Sequence, residues 1–219
     1  MCGIVGGVTN TDIIPLLLDG LKRLEYRGYD SSGLVILSQN NKLVRERAVG
    51  KVINLKKKLK LNKNKIEGTI GLAHTRWATH GEPSDKNAHP HISKNSISVV
   101  HNGIIENYLD LKDSQIEQGY EFTSETDTEV IAHAIDFAMQ SSNSLLDATQ
   151  KVIKTLNGSY GIGVISSDYP HEIIAARKGS PLVIGIGDNG NYLASDQIAL
   201  LSITREFIFL EEGDVAELK

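Results

Sequence analysis

Three helical patterns stand together between residues 105 and 156, and short strand-like runs crowd both sides of them. That segregation argues against alternating βαβ units and predicts an α+β fold in which helices cover antiparallel sheets. Ahead of the helical block, a β-branched run ends near Val8. Asp12 then stands where it would cap a helix whose Ile14, Leu17, Leu18, Leu21 and Leu24 share one face. Runs at 33–37 and 42–49, parted by Gln39-Asn40-Asn41, predict a hairpin. The basic stretch LKKKLKLNKNK follows, and Val52, Leu55 and Leu59 at helical spacing make it a solvated helix face and turn.

A strand over Thr69 to His74 leads into a polar, histidine-rich loop running to about Asn95, and a strand from Ser96 to His101 ends at Asn102-Gly103. Tyr108, Leu109 and Ile116 mark the first mid-chain helix, closing at Gly119. Thr126-x-x-Glu129 has the capping-box pattern and opens the second, with Val130, Ile131, Ala134, Ile135 and Ala138 on its apolar stripe. The third runs from Leu145 to Leu156. Beyond Gly158 come strand runs at 160–165, 171–176, 181–186, 192–194, 207–210 and 215–218.

The chain of 219 residues has one cysteine, directly behind Met1, so no internal disulfide forms. No signal-like h-region and no apolar run near 18 residues is present, which makes the cytoplasm the expected compartment and gives no membrane partner. A net charge of −4, with one basic cluster, offers no field for nucleic acid. Removal of Met1 would give Cys2 a thiol and a free α-amine, the amine titrating at about 7.7 to 8.0, close to a base's ideal at neutral pH. A buried cysteine at a frayed end is the competing reading. If Met1 stays, the amine is locked in a peptide bond.

Other segments carry residues suited to acyl transfer beside a cysteine. Arg76, in His74 to Gly81, has the fork that clamps a carboxylate, although a surface arginine with Trp77 packed on the core fits the spacing equally. Asn102-Gly103 reads either as a hairpin turn or, with a helix following, as amides at a positive helix end that hold an oxyanion. Asp127, expected on the first turn of a helix, suits a ligand ammonium or simply a helix start. Tyr26-Arg27-Gly28-Tyr29-Asp30 is a turn with the means to steady the terminus. His74, His80, His89 and His91 crowd together, but no metal is expected: Pro90 in an extended backbone would point His89 and His91 to opposite faces.

Taken together, the opening Cys2-Gly3-Ile4-Val5-Gly6, Leu24 to Ser31, His74 to Gly81, Val100 to Asn107 and Ser124 to Val130 resemble the glutaminase domain of the class II glutamine amidotransferases. The resemblance extends over essentially the whole chain, including Gly179 to Gly185, Ala194-Ser195-Asp196-Gln197 and Phe207 to Asp214. It implies an N-terminal-nucleophile hydrolase fold, a four-layer αββα sandwich of antiparallel sheets. It further implies Cys2 as nucleophile with its amine as base, Asn102 and the Gly103 amide at the oxyanion, Arg76 on the glutamine carboxylate and Asp127 on its ammonium. Thr79, His80 and Trp77 are implied in a closing loop, Trp77 gating ammonia, with Arg27 and Gly28 as supports. No cofactor is implied. The implied partners are L-glutamine and, in the branch matched best, a sugar isomerase domain of the same polypeptide, through which the full-length enzyme forms a homodimer. Residues 1–219 would then be one excised glutaminase domain. A non-catalytic glutamine-binding module and another synthase of the superfamily are the alternatives.

Overall fold

The computed structural model describes residues 2–61, 66–77 and 81–219. The early strands are β1 (Gly3–Thr9), β2 (Ser31–Leu37), β3 (Leu43–Val49), β4 (Ile70–Arg76), β5 (His91–Ser93) and β6 (Ile97–Ile105). After the helical block come β7 (Gly158–Ser166), β8 (Ile173–Lys178), β9 (Val183–Gly187), β10 (Gly190–Ala194), β11 (Glu206–Phe209) and β12 (Val215–Leu218). Two antiparallel sheets result, ordered β11-β9-β10-β1-β4-β2-β3 and β12-β8-β7-β6-β5.

Alternation along the strands dictates the layers, because successive side chains leave opposite faces of a sheet. In β2, Leu34 and Ile36 enter an outer core while Val35 and Leu37 enter a middle one. Ile4 and Leu72 join the middle core, and their neighbours Val5 and Ala73 the outer one. The second sheet does the same: Val100, Ile165 and Ile173 face the middle, while Val99, Val164 and Ile174 face the far side. Helices α1 (Ile14–Leu24) and α2 (Val52–Leu61) close the first outer core with Leu17, Leu21, Leu24, Val52 and Leu55. Beyond α3 (Tyr108–Glu117), helices α4 (Glu129–Met139) and α5 (Leu145–Ile153) close the other with Val130, Ile131, Ile135, Leu145 and Val152. Three cores between four layers make the α-β-β-α sandwich. Strands covered on both faces read as nearly continuous apolar runs, as β2 does.

Several local expectations shift. Asp12 is a weak cap, its Oδ1 lying 3.4 Å from the Ile14 amide. The stretch expected as loop contains β5, which pairs with β6. Helix α3 is rotated: it rests on the core through Tyr108 and Leu111 with Gln115 buried, whereas Leu109 and Ile116 are exposed. Gln115 is tolerated there because its Nε2 donates to the Val130 carbonyl at 2.9 Å. Among the described residues no helix is long and apolar enough to cross a membrane.

Candidate active site

Cys2 is placed by the strand it precedes. β1 lies between β10 and β4, with Gly3 opposite Thr75. A Cβ at Gly3 would fall 2.7 Å from Thr75 Oγ1 and 2.8 Å from Leu24 Cβ, so only glycine lets β1 run this close. Cys2 therefore emerges beside the end of β4, and the Trp77 amide donates to Cys2 Sγ at 3.3 Å. Burial pushes the thiol pKa up, while the hydrogen bond from the Trp77 backbone and the Arg76 charge pull against it. The Cys2 carbonyl accepts from Asn102 Nδ2 and from Arg27 Nε, each at 3.2 Å.

Arg27 is itself held, with Nη1 3.3 Å from Asp196 Oδ2, an atom that also accepts from Tyr26 Oη at 2.7 Å. Gly28 has extended backbone and is required by proximity, since a Cβ there would lie 3.0 Å from Trp77 Cβ and 3.1 Å from the Arg76 carbonyl. Arg76 ends β4, buried, and its Nη2 donates to the Gly81 carbonyl at 2.9 Å. Trp77 is 57% exposed. Thr79 and His80 lie outside the described residues.

The context expected for Asn102-Gly103 is wrong in kind. The pair is neither a hairpin turn nor the start of a helix; it lies inside β6, registered with Gly161 and Tyr160 of β7. Glu106 N donates toward β7, at Asn157 O, so the even-numbered amides of β6 face that strand and the odd-numbered ones face away. On the far edge β5 stops opposite Val99. Past that point the His101 amide finds His89 Nδ1 at 3.3 Å and the Ile105 amide finds Asp127 Oδ2 at 2.8 Å. The Gly103 amide falls between them, on a sheet edge that has run out of partner strand. Gly103 has φ 137°, and a Cβ would lie 2.0 Å from the Ser159 carbonyl oxygen, so no other residue fits.

Asp127 precedes α4 instead of standing on its first turn, and it is buried. The capping box is not formed either. Glu129 reaches back past Thr126 and accepts from Thr123 N (3.0 Å), Thr123 Oγ1 (2.8 Å), Ser124 N (2.7 Å) and Ser124 Oγ (2.7 Å). Thr126 Oγ1 instead meets His91 Nε2 at 3.0 Å, and Thr128 Oγ1 meets His101 Nδ1 at 2.9 Å. The turn that carries Asp127 is thus pinned on both sides.

His89 and His91 do not diverge as an extended dipeptide would require. The His89–Pro90 bond is cis, and the rings lie 4.8 Å apart edge to face, with His89 stacked on His74 at 4.1 Å. Burial pushes the His74 pKa down to about 3 and those of His89 and His91 well below the usual value. These rings are a neutral floor beneath the cleft. Among the described residues no three His, Cys, Asp or Glu side chains are grouped to hold a metal ion.

Cys2, Arg76, Trp77, Gly103 and Asp127 line one small cleft together with His89, His101, Thr126 and Thr128. Asn102, Arg27 and Gly28 adjoin it through Cys2 and Trp77. Asp196 and the Thr128–His101 pair had no functional signal of their own in the sequence, and Glu129 showed only as the end of a capping-box pattern. Asp196 looks like an ordinary cap, accepting from the Ile198 amide at 3.0 Å, and its second partner lies 169 residues away.

Residues 74–202 match the model of the glutamine amidotransferase domain. The chain is 56% identical over 218 residues to the glutamine–fructose-6-phosphate aminotransferases (isomerizing) of Acinetobacter baylyi and of Haemophilus influenzae. Each match takes in 100% of this chain and 35% of the relative, so the chain spans about a third of the length of those proteins. Among solved structures, the glutamine phosphoribosylpyrophosphate amidotransferase of B. subtilis superposes with a TM-score of 0.81 at 25% identity, over 99% of this chain and 47% of that one. The two-sheet sandwich is thus of the N-terminal-nucleophile hydrolase kind, and the chain belongs to the class II glutamine amidotransferases.

Proposed function

We propose that this chain hydrolyses the side-chain amide of L-glutamine, with Cys2 as nucleophile, and is the glutaminase domain of a longer glutamine–fructose-6-phosphate aminotransferase. The observation that carries the reading is the shared cleft: a thiol, a guanidinium, a carboxylate and a backbone amide of β6 beyond the end of β5 converge on one small space. Arg76 takes the α-carboxylate and Asp127 the α-ammonium, which lays the amide carbon against Cys2 Sγ. Because burial raises its pKa, the thiol arrives protonated and needs a base. The α-amine of Cys2, freed by loss of Met1, removes that proton as sulfur attacks and passes it to the departing nitrogen, releasing ammonia. Asn102 Nδ2 and the Gly103 amide stabilise the oxyanion, and each such donor is worth about 10² to 10³ in rate. Water then attacks the γ-glutamyl thioester, aided by the same amine, giving glutamate and restoring the thiol.

Arg27, anchored by Asp196, and Gly28, pressed against Trp77, keep the terminus in register. Thr79 and His80 contribute to glutamine binding, and Trp77 directs ammonia toward a following isomerase domain. There fructose 6-phosphate accepts it as glucosamine 6-phosphate, in a cytoplasmic homodimer held through that second domain. The test is glutamate and ammonia release from glutamine by protein shown by mass spectrometry to lack Met1. Activity should vanish in Cys2→Ala and in protein retaining Met1; undiminished turnover in Cys2→Ala would remove the reading.

A further inference from the structure

His74 lies on the middle-layer face of β4, opposite Ile4 of β1, and it is completely buried. Its Nε2 is 3.0 Å from the His101 carbonyl oxygen and 3.0 Å from Asn102 Oδ1. The backbone carbonyl has only lone pairs to offer, so Nε2 must carry the proton. In a neutral ring the Nδ1 atom is then bare, and among the described residues it has no hydrogen-bond partner. The same N–H, shared between two acceptors, fixes which end of the Asn102 amide faces it. The oxygen turns toward His74 and the NH2 group away from it, where Nδ2 donates to the Cys2 carbonyl at 3.2 Å. Both ends of the amide are set by partners that can only donate or only accept.

We propose that His74 is a positioning residue for the reaction: its Nε2–H holds the Asn102 amide with the nitrogen facing the Cys2 cleft. This rests on the reading of Asn102 as an oxyanion donor. A flipped amide would present an oxygen lone pair to the developing negative charge and replace an attraction by a repulsion. The device is stiff for visible reasons. The ring is stacked at 4.1 Å and 13° on His89, it stands between two sheets, and its depressed pKa keeps it in one protonation state over the working range.

The experiment compares His74→Gln, His74→Leu, Asn102→Ala and the double variant His74→Leu/Asn102→Ala in Met1-free protein, together with ring 15N NMR of the unsubstituted protein. Glutamine at 74 keeps an N–H donor near the position of Nε2, whereas leucine removes it. His74→Leu should lower kcat about 10-fold to 100-fold with KM changed less than about threefold, since the substrate's α-groups are held elsewhere. His74→Gln should recover most of that loss, and the double variant should be no slower than Asn102→Ala. Losses that multiply in the double variant overturn the proposal, because His74 would then act independently of Asn102. If Asn102→Ala leaves kcat unchanged, the oxyanion reading itself is gone and the proposal falls with it. If the leucine variant does not fold, the NMR decides: a ring protonated on Nε2 and bare on Nδ1 supports the proposal, and the opposite tautomer overturns it.

Discussion

Replacing Gly103 by alanine tests the backbone and the chemistry in one substitution. The added Cβ would stand 2.0 Å from the Ser159 carbonyl oxygen and 2.7 Å from its carbon. Relief requires β6 and β7 to part by about 1 Å or more at this point. The ladder positions on either side, Asn102 with Gly161 and Ile104 with Ser159, would be stretched. Two weakened ladder bonds cost about 1 kcal/mol each, and a side chain at positive φ adds about 1 to 2 kcal/mol, so about 3 to 4 kcal/mol is at stake. For a domain of this size that lowers Tm by roughly 10 °C. The Gly103 amide moves with its strand, so the folded fraction should lose about 10²-fold or more in kcat. Thermal unfolding by circular dichroism and glutamate release at 20 °C are the two assays. A Tm within about 1 °C of the parent refutes the close-approach argument. The expected drop in Tm with an unchanged kcat refutes the role given to the amide.

The buried histidines set the response to acid. His74, His89 and His91 are held neutral in the fold by burial, with His74 at about 3, whereas in the unfolded chain each takes a proton near pH 6.5. Stability from them is therefore complete above about pH 6.5 and falls with a slope of up to one proton per histidine as pH drops below it, His74 losing the last of its share near pH 3. Urea titrations at pH 7 and 5 should show that slope, and equal stabilities at the two values would contradict it. Glu129→Gln leaves four donors facing a neutral amide and loosens the turn ahead of Asp127; KM for glutamine should rise about 5-fold to 20-fold while the kcat of bound substrate changes little. Asp196→Ala frees Arg27 and Tyr26 together, so kcat/KM should fall about 5-fold to 10-fold with native far-UV circular dichroism; the same loss in Tyr26→Phe would shift the cause from Arg27 to the tyrosine.

The order and type of most elements were readable because period and punctuation are local. The hairpin of β2 and β3, the apolar face of α1 and the strands after Gly158 all appear near their expected places. Cys2 was conspicuous as the single thiol, and Arg76 and Asp127 stood as candidates by residue type, with the family resemblance deciding between their open readings before the cleft brought them together. What escaped depended on partners distant in sequence. The Asn-Gly pair carries a strong turn signal, yet β7 supplies the ladder that keeps it extended. Leu109 and Ile116 look like a buried face until α4 offers Gln115 a carbonyl. Glu129 fits a capping box at three residues' spacing, but Thr123 and Ser124 together turn two backbone amides and two hydroxyls onto its buried carboxylate, and those donors win. No local pattern announces that His74, His89 and His91 share one floor.

The proposed nucleophile belongs to one sheet and the proposed oxyanion donors to the other. Cys2 hangs from β1, Asn102 and Gly103 from β6, and between them stands the middle core of Ile4, Leu72, Val100 and Leu193. That core acts as a spacer gauge for the reaction. A methylene added or removed there touches no substrate, yet it changes the gap that sulfur and amide must bridge. Function in this molecule should be less forgiving than folding: as heating lets the sheets breathe against each other, turnover is expected to fade several degrees before the fold itself gives way.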